Sequence, residues 1–209
     1  MTSDIAHELK TPIAELINLA EVTLKFPNDP SLKATFTSDV LDISKRLEKV
    51  VSSIMLFHRY NNECFELNDV FDAAQVITRL SANYKRVQIN SQPDMFVTSN
   101  LFAFETILTN LFNNAVTYSP KDSVINVDIG ALADKSIQIS VSNLCTSSLS
   151  QQDLKYIFDP LWQKDSARTS TENFGLGLSI VNSFTKALGG TIGVEIENEV
   201  IYFRVNLKQ

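Results

Sequence analysis

Two long segments at the start of the chain repeat apolar residues at alternating steps of three and four positions. This spacing is typical of amphipathic helices with a heptad seam. The sequence FPNDPSL separates the two segments, and within it Asp29 suits a helix N-cap and Pro30 the first helical turn. The pattern therefore predicts a helical hairpin. The seam positions are Ile5, Leu9, Pro12, Leu16, Leu19, Thr23 and Phe26 in the first helix and Val40, Ile43, Leu47, Val50, Ile54 and Phe57 in the second.

A single hairpin of this kind has an apolar stripe on each helix and little to bury both against. Two copies that pack into a four-helix bundle cover both stripes, which is the economical arrangement for such a sequence. We therefore expect a homodimer held by the helical hairpin.

The rest of the chain, from about residue 65, mixes short strands with helices. Adjacent strands are joined by short turns and do not follow the rhythm of a doubly wound fold, so we expect an α+β domain with a mixed sheet covered on one face by helices. This gives two domains, residues 1–62 and 63–209, with a long functional loop at 145–174. The predicted strands are 65–67, 87–90, 123–129, 136–141, 191–197 and 200–207, the last two forming a hairpin about ENE, and the predicted helices are 70–83, 101–118, 153–158 and 176–188.

Charge and cysteine content narrow the function classes. The 209 residues include 18 Lys and Arg against 24 Asp and Glu, a net charge of -6, which argues against a general nucleic-acid binder. Cys64 and Cys145 lie far apart without CxxC spacing, so the sequence indicates neither zinc nor a disulfide framework. No apolar run reaches the roughly 18 residues that span a bilayer. We expect a cytoplasmic protein, and a helix pattern that begins at residue 2 or 3 indicates a piece of a longer one.

The first helix carries a histidine with reactive neighbours. His7 falls at the heptad position furthest from the seam, which predicts an exposed imidazole; a solvated histidine without function is one interpretation. Glu8 provides the other, because a carboxylate that takes the Nδ1 proton leaves Nε2 a better nucleophile. Thr11 lies one turn further along, where its hydroxyl can orient a water. Pro12 inside a helix removes a backbone hydrogen bond and bends the helix, which lowers its stability by about 3 kcal/mol. Such a loss of stability indicates that the bend has a function.

Two motifs in the second domain have the chemistry of a nucleotide site. TNLFNNAVTYSP, residues 109–120, places Asn110 and Asn114 on one helical face, where amide oxygens can meet a Mg²⁺ that a triphosphate also binds; paired asparagines on a solvated face are the alternative. GLGLSIVNSFTKALGG, residues 175–190, opens a helix with glycines that let phosphate approach free N–H groups. Glycine also begins and ends many helices, so this motif alone does not decide.

HELKTP, residues 7–12, resembles the phosphoacceptor box of bacterial sensor histidine kinases, in their dimerisation and phosphotransfer domain. The resemblance implies that His7 is autophosphorylated, that Glu8 acts as a base, and that Thr11 assists removal of the phosphoryl group from the partner protein. It also implies a second domain of the Bergerat (GHKL) sandwich type that uses ATP and Mg²⁺, and a response regulator receiver domain as partner. The parent protein is then anchored in the bacterial inner membrane by segments absent from this chain.

The second-domain motifs are similar to the ATP-binding boxes of the same family and occur in the family order. In the N-box, the resemblance gives Asn114 the metal, Asn110 a supporting place beside it, and Tyr118 a place at the nucleotide, while Thr117 stands where a basic residue is common. The aromatic F-box matches YIFDPLWQ with Phe158 and Trp162, and a phosphate-contacting basic residue matches Arg168 in DSAR. The G2 box matches Gly175, Leu176, Gly177 and Leu178.

The G1 box is where the chain departs from the family pattern. In VSNLCTSSLS, Asn143 stands in place of the Asp that accepts a hydrogen bond from the adenine amino group, and both glycines are missing. An Asn oxygen can still accept from that amino group while its NH₂ donates to a ring nitrogen, without charge assistance. We therefore expect ATP to bind through an altered adenine site.

Three functions fit these residues. The first is the catalytic core of a dimeric sensor histidine kinase. The second is an ATP-sensing or docking scaffold of the same shape without kinase turnover, which the altered adenine site would explain. The third is a GHKL-type ATPase that spends ATP on conformational change and gives His7 no role.

Overall fold

The computed structural model describes residues 2–60, 65–91, 95–134, 136–145, 148–164 and 175–208, without the side chains of 2–8, 49, 53 and 56–60. Helices α1 (Thr2–Lys25) and α2 (Pro30–Tyr60) form the predicted hairpin. The carboxylate of Asp29 accepts hydrogen bonds from the backbone N–H groups of Ser31 at 2.8 Å and Leu32 at 3.3 Å, which confirms it as the cap of α2.

The seam between α1 and α2 follows the heptad positions. Pro12, Ile43 and Val50 are buried there, and most of the other described seam residues are half-buried. Phe26 is an exception, because it follows the end of α1 and remains 51% exposed. An ion pair between Glu15 of α1 and Arg46 of α2 bridges the two helices. The side chains of the remaining seam residues, Ile5 and Phe57, lie outside the described part.

The second domain is built on a five-stranded sheet in the order β2-β4-β5-β7-β6. The pair β2–β4 is parallel and the other three pairs are antiparallel, so the prediction of a mixed sheet is confirmed. On β4 and β5 the odd-numbered residues are buried beneath the helices, except for the exposed Ala131 at the end of β4, whereas most even-numbered residues line the opposite face. The strands are β2 (Val87–Ser91), β4 (Ile125–Ala131), β5 (Ile137–Leu144), β6 (Thr191–Glu197) and β7 (Val200–Leu207).

Helices cover one face of this sheet. The central pair is α4 (Leu101–Tyr118) and α6 (Gly177–Ala187), which pack on each other; α3 (Ala73–Ser81) lies beside α4, and α5 (Gln151–Tyr156) precedes the loop before α6. The core between helices and sheet is strongly aromatic. Its largest fully buried side chains include Phe104, Phe112, Phe184 and Phe203.

Several predicted boundaries were wrong, and a second small sheet was missed. Residues 65–67 are not a strand; the strand is β1 (Asp69–Asp72), which pairs antiparallel with β3 (Phe96–Ser99). Helix α3 begins only after Asp72, because that carboxylate accepts from Ala74 N–H at 2.9 Å and so caps it. The strand predicted at 123–129 lies two residues later, as β4, and the strand predicted at 136–141 is two residues longer, as β5. Helix α5 begins earlier than predicted because Ser150 and Asp153 form a capping box.

The two parts of the chain touch through α2. Helix α2 packs against α6, and Ile54 lies against the core of the second domain. After the hairpin, Phe65 packs edge-to-face on Phe184 with ring centroids 5.1 Å apart. The predicted boundary at 62/63 falls outside the described residues and stays a prediction. None of the described helices combines enough length with enough hydrophobicity to cross a bilayer.

Candidate functional site

Helix α4 presents Asn110, Asn114 and Tyr118 on one face, as their spacing predicts. The amide nitrogen of Asn110 donates to the carbonyl of Thr106 at 2.8 Å, which fixes the orientation of the side chain. Its Oδ1 points at the first turn of α6, since a Cβ on Gly177 would lie 3.1 Å from that oxygen. Asn114 is half-buried. Two of the predicted motifs are thus brought together in space.

No side chain of the described residues caps the N-terminus of α6. Leu176 occupies the N-cap position with no side-chain hydrogen bond, so the first N–H groups of the helix are available to an anion. The hydroxyl of Ser179 donates to the Leu176 carbonyl at 2.8 Å, so this hydrogen bond leaves the N–H groups of the first turn unoccupied. Leu176 is buried, and Leu178 packs partly against the core. These two leucines therefore hold the helix on the sheet while Gly177 allows the close approach to Asn110.

Gly175 has a conformational role of its own. Its φ is +65°, and a Cβ there would lie 2.6 Å from the carbonyl oxygen of Trp162. The N–H of Leu161 donates to the Gly175 carbonyl at 3.0 Å, and Leu161 itself has a φ of 64°. Only glycine fits this close and left-handed arrangement. The contact joins Leu161 to Gly175 across the intervening chain, and we call it the Leu161–Gly175 clasp.

Asn143 lies on the helix-covered face of β5 and is 2% exposed. Its Nδ2 donates to the carbonyl of Leu144 at 2.8 Å, whereas its buried Oδ1 has no hydrogen-bond partner among the residues that the structure describes. The expected donation to an adenine ring nitrogen is therefore not available in this rotamer, and one acceptor remains. Because Oδ1 is enclosed, an adenine amino group would reach it only after neighbouring side chains move. An unpaired buried acceptor is costly unless a ligand completes it.

The other residues predicted to contact the nucleotide differ in their surroundings. Tyr118 is 37% exposed, and burial raises the pKa of its phenol, which stays a protonated donor at neutral pH. Phe158 packs edge-to-face on Phe203 with centroids 6.4 Å apart, and Trp162 lies partly against the core, so both anchor the chain that leads to the clasp. Arg168 lies outside the described residues.

The phosphoacceptor residues are described only in part. His7 and Glu8 belong to α1, but their side chains lie outside the described part. Thr11 is exposed, and Pro12 is buried in the seam beside it. The predicted roles of His7, Glu8 and Thr11 therefore stay predictions.

A cavity of about 680 Å³ opens on the opposite side of the sheet, away from these motifs. It is lined by polar and apolar residues in nearly equal share, and its polar side chains include those of Asn90, Asp128, Gln138 and Ser140. Within the described part of the chain, no cluster of three or more His, Cys, Asp or Glu residues has the arrangement of a metal site. The candidate metal ligands are the amide oxygens of Asn110 and Asn114.

The sequence reasoning missed Arg86. This residue lies between α3 and β2, and its guanidinium donates to the carbonyl of Val116 at 2.9 Å and to the hydroxyl of Ser119 at 3.1 Å. The sequence feature that could have indicated such a residue is the absence of a Lys, Arg or His in the last turn of α4. A helix end of this kind favours a cation from elsewhere.

Comparison with known proteins agrees with this arrangement. Residues 100–209 match the family described as histidine kinase-, DNA gyrase B-, and HSP90-like ATPase, and residues 1–63 match the His Kinase A (phospho-acceptor) domain. The sensor protein VanS of Enterococcus faecium is 28% identical over 214 residues, which cover 97% of this chain and 55% of that protein. The chain thus spans about half the length of this relative.

Two solved structures have the same fold. The histidine kinase ThkA, in complex with the response regulator protein TrrA, has a TM-score of 0.78 at 18% identity, covering 99% of this chain and 60% of that one. ShkA in complex with AMPPNP has a TM-score of 0.69 at 20% identity, covering 98% and 44%. With a match to the phospho-acceptor domain placed ahead of the sheet domain, this chain belongs to the family described as histidine kinase-, DNA gyrase B-, and HSP90-like ATPase.

Proposed function

We propose that this chain transfers the γ-phosphoryl group of ATP to His7 and from there to an aspartate of a response regulator. The observation that carries the proposal is the approach of Gly177 to Asn110, which sets the uncapped start of α6 against the asparagine face of α4. This arrangement provides amide oxygens for a cation and N–H groups for phosphate at one place. The phospho-acceptor hairpin supplies the nucleophile in the same chain.

The described residues fit ATP with Mg²⁺. The free N–H groups of the first turn of α6 suit the phosphates, and the unpaired Oδ1 of Asn143 suits the adenine amino group. Asn110 and Asn114 would hold Mg²⁺, which neutralises charge on the phosphates during transfer. Arg168 would add a phosphate contact, and Tyr118 would border the nucleotide.

The chemistry assigned to the hairpin follows from the resemblance of HELKTP. Nε2 of His7 attacks the γ-phosphorus, the bond to the β,γ-bridging oxygen breaks, and ADP leaves. Glu8 holds the Nδ1 proton and keeps Nε2 nucleophilic. The phosphohistidine then gives its phosphoryl group to an aspartate carboxylate of the regulator, and Thr11 orients the water that later removes the group from that partner.

A homodimer completes the proposal, because the hairpin leaves a second apolar stripe uncovered. Ile13, Ile17 and Leu24 recur on one side of α1 at steps of four and seven, and all three are exposed. Leu41, Val51 and Met55 are exposed on α2. A second hairpin that covers these side chains gives the four-helix bundle predicted from the sequence. The parent protein, as a sensor, is proposed to be anchored in the bacterial inner membrane by segments outside this chain, with no nucleic acid among its partners.

Labelled ATP tests the proposal directly. We expect the full chain to take up γ-labelled phosphate in the presence of Mg²⁺, in an acid-labile form, and to pass it to a receiver domain. His7→Gln removes the label, whereas His58→Gln, which changes the other histidine of the chain, leaves it in place. Label that survives His7→Gln contradicts the proposal.

An ATP-sensing or docking scaffold is the second candidate. The enclosed Oδ1 of Asn143 favours it, because the adenine acceptor is not open in this structure. Calorimetry separates the two candidates. Nucleotide binding without label on His7 supports the sensing scaffold, and no heat of binding at millimolar ATP leaves only docking or regulator-phosphatase roles.

A further inference from the structure

The end of α4 is held by one arginine from outside the helix. The Nη2 group of Arg86 donates to the carbonyl of Val116 at 2.9 Å. Its Nη1 group donates to the hydroxyl of Ser119 at 3.1 Å, to the carbonyl of Ser123 at 3.2 Å and to the carbonyl of Pro120. Its own carbonyl accepts from Ile125 N–H at 2.9 Å. A single side chain therefore binds the last turn of the helix and the turn that leads into β4.

The charge of Arg86 suits this place. Helix α4 has no basic residue in its last turn, so its C-terminal carbonyls need a cation or donors from another element. Within the described part of the chain, no carboxylate forms an ion pair with Arg86, and its guanidinium donates only to backbone carbonyls and serine hydroxyls. Its positive charge is thus directed at the helix end.

The bonds of Arg86 bracket Tyr118. Val116 lies two residues before the tyrosine and Ser119 one residue after it, and Asn114 lies one turn back on the same helix. Ser119 is buried, and its hydroxyl also donates to the carbonyl of Ala115 at 2.6 Å. The position of Tyr118 therefore depends on bonds that Arg86 makes on both sides of it.

The segment before Arg86 holds the preceding turn of α4. The hydroxyl of Tyr84 donates to Oδ1 of Asn113 at 3.0 Å, and its ring packs edge-to-face on Phe112 with centroids 5.3 Å apart. Asn113 and Val116 lie off the stripe of Asn110, Asn114 and Tyr118. Residues 84–86 therefore support α4 from another side and leave the nucleotide face open.

We propose that Arg86 is a positioning residue for nucleotide binding, which holds the last turn of α4 so that Tyr118 and Asn114 face the nucleotide. The role rests on the proposed function of the Asn110–Gly177 site. Arg86 touches neither ATP nor the reacting atoms and acts through Tyr118. Lysine cannot replace it fully, because an ammonium group lacks the planar fork that reaches Val116 and Ser119 together.

The test compares Arg86→Met and Arg86→Lys with Arg79→Met in the full chain. Arg79 is a suitable control because it lies on α3, is largely exposed and pairs with Glu105 on the surface. We expect Arg86→Met to weaken ATP binding about tenfold in calorimetry, as supporting residues of metal sites do, Arg86→Lys to weaken it less, and Arg79→Met to leave it unchanged. Amide exchange of the apoprotein should speed up over residues 115–125 in Arg86→Met and not over α3.

A double-mutant cycle separates positioning from general stability. If Arg86 acts through Tyr118, the effect of Arg86→Met on ATP affinity largely disappears in a Tyr118→Ala background. Additive losses, or an unchanged dissociation constant in Arg86→Met, overturn the role of Arg86. Absence of ATP binding in the wild-type chain instead overturns the proposed function of the site, and the positioning role with it.

Discussion

The first turn of α6 passes so close to α4 that a Cβ on Gly177 would lie 3.1 Å from Oδ1 of Asn110. This distance is tighter than ordinary side-chain packing, so the two helices meet here only because residue 177 is glycine. Asn110 cannot turn away without cost, since its amide nitrogen is bonded to the Thr106 carbonyl. The contact fixes the geometry of the proposed cation and phosphate site.

Gly177→Ala should therefore weaken ATP binding without unfolding the protein. Alanine favours helix by about 1 kcal/mol over glycine, which offsets the crowding, whereas the displaced Asn110 oxygen no longer faces the phosphates. Calorimetry with MgATP and a thermal melt measure the two effects. Gly193→Ala is the matched control, because a Cβ there meets nothing within 4 Å. Equal ATP affinity in the two variants would contradict the assigned site.

Asn143→Leu should stabilise the apoprotein and weaken ATP binding at the same time. Leucine has nearly the shape of asparagine and removes a buried acceptor that lacks a partner within the described part of the chain, a gain of about 1 kcal/mol. The bond from Nδ2 is also lost, but its acceptor belongs to the exposed Leu144, where water can replace it. The same change removes the only group assigned to the adenine amino group. We expect urea unfolding to show a higher free energy of unfolding and calorimetry to show a lower affinity for ATP. A variant that binds ATP like the wild type shows that Asn143 is not the adenine acceptor.

Glu199→Gly should raise the stability of the second domain by about 0.5 to 1 kcal/mol. The β6–β7 turn places Asn198 at a φ of 48° and Glu199 at 64°, the left-handed values of a two-residue hairpin that favours Asn-Gly. Asn198→Gly is the control and should gain less, because asparagine tolerates this conformation. Urea unfolding measures the free energy of unfolding of both variants, provided that the slope with urea is unchanged. A lower stability in Glu199→Gly would contradict the inferred backbone strain at this position.

The cap of α2 should depend on pH in the acid range. Hydrogen bonds from the side chain and backbone of Ser31, and from Leu32 N–H, lower the pKa of Asp29 below its ordinary 3.8. A lowered folded pKa means that the stabilisation is complete above about pH 4 and is lost as the pH falls through the folded value. The melting-temperature difference between wild type and Asp29→Ser should be constant from neutral pH down to that point and shrink below it. A difference that grows on acidification would refute this.

The exposed stripe of the hairpin should hold the dimer. Ile17 is 53% exposed, and a charge there would lie inside the proposed four-helix bundle. Ile17→Glu is expected to give monomers in size-exclusion chromatography with light scattering, whereas Asn18→Glu, at the next exposed position, keeps the dimer. Dimers in both variants would place the interface elsewhere.

Regular, strongly patterned elements could be predicted from the sequence. The ranges of α4, β6 and β7 were predicted as observed, because each carries a clear periodicity and a cap or tight turn at its ends. The pair β1–β3 was missed because each strand has four residues and its partner lies far away in sequence. Short strands of this kind depend on tertiary pairing, which local pattern does not report.

The parts of the candidate site that could be predicted are those in which the spacing of residues within one helix fixes their relative positions. Asn110 and Asn114 share a face through helical spacing alone. The resemblance to a known family assigned these residues and Gly177 to one nucleotide, but it did not give the close approach of Gly177 to Asn110. Arg86 was not predictable, because its partners lie 30 or more residues away and are mostly backbone carbonyls, which leave no trace in residue types. The enclosure of the Asn143 oxygen depends on packing from several elements at once.

The Leu161–Gly175 clasp makes the chain between these residues a natural graft site. Its two attachment points are held together by a hydrogen bond and by close backbone packing, so an inserted sequence begins and ends at points that are already close together. Lengthening the chain between them twofold costs only about 0.6 kcal/mol in closure entropy. A peptide tag or fluorescent reporter inserted there, with Arg168 kept, would leave the two attachment points closed by the same contact.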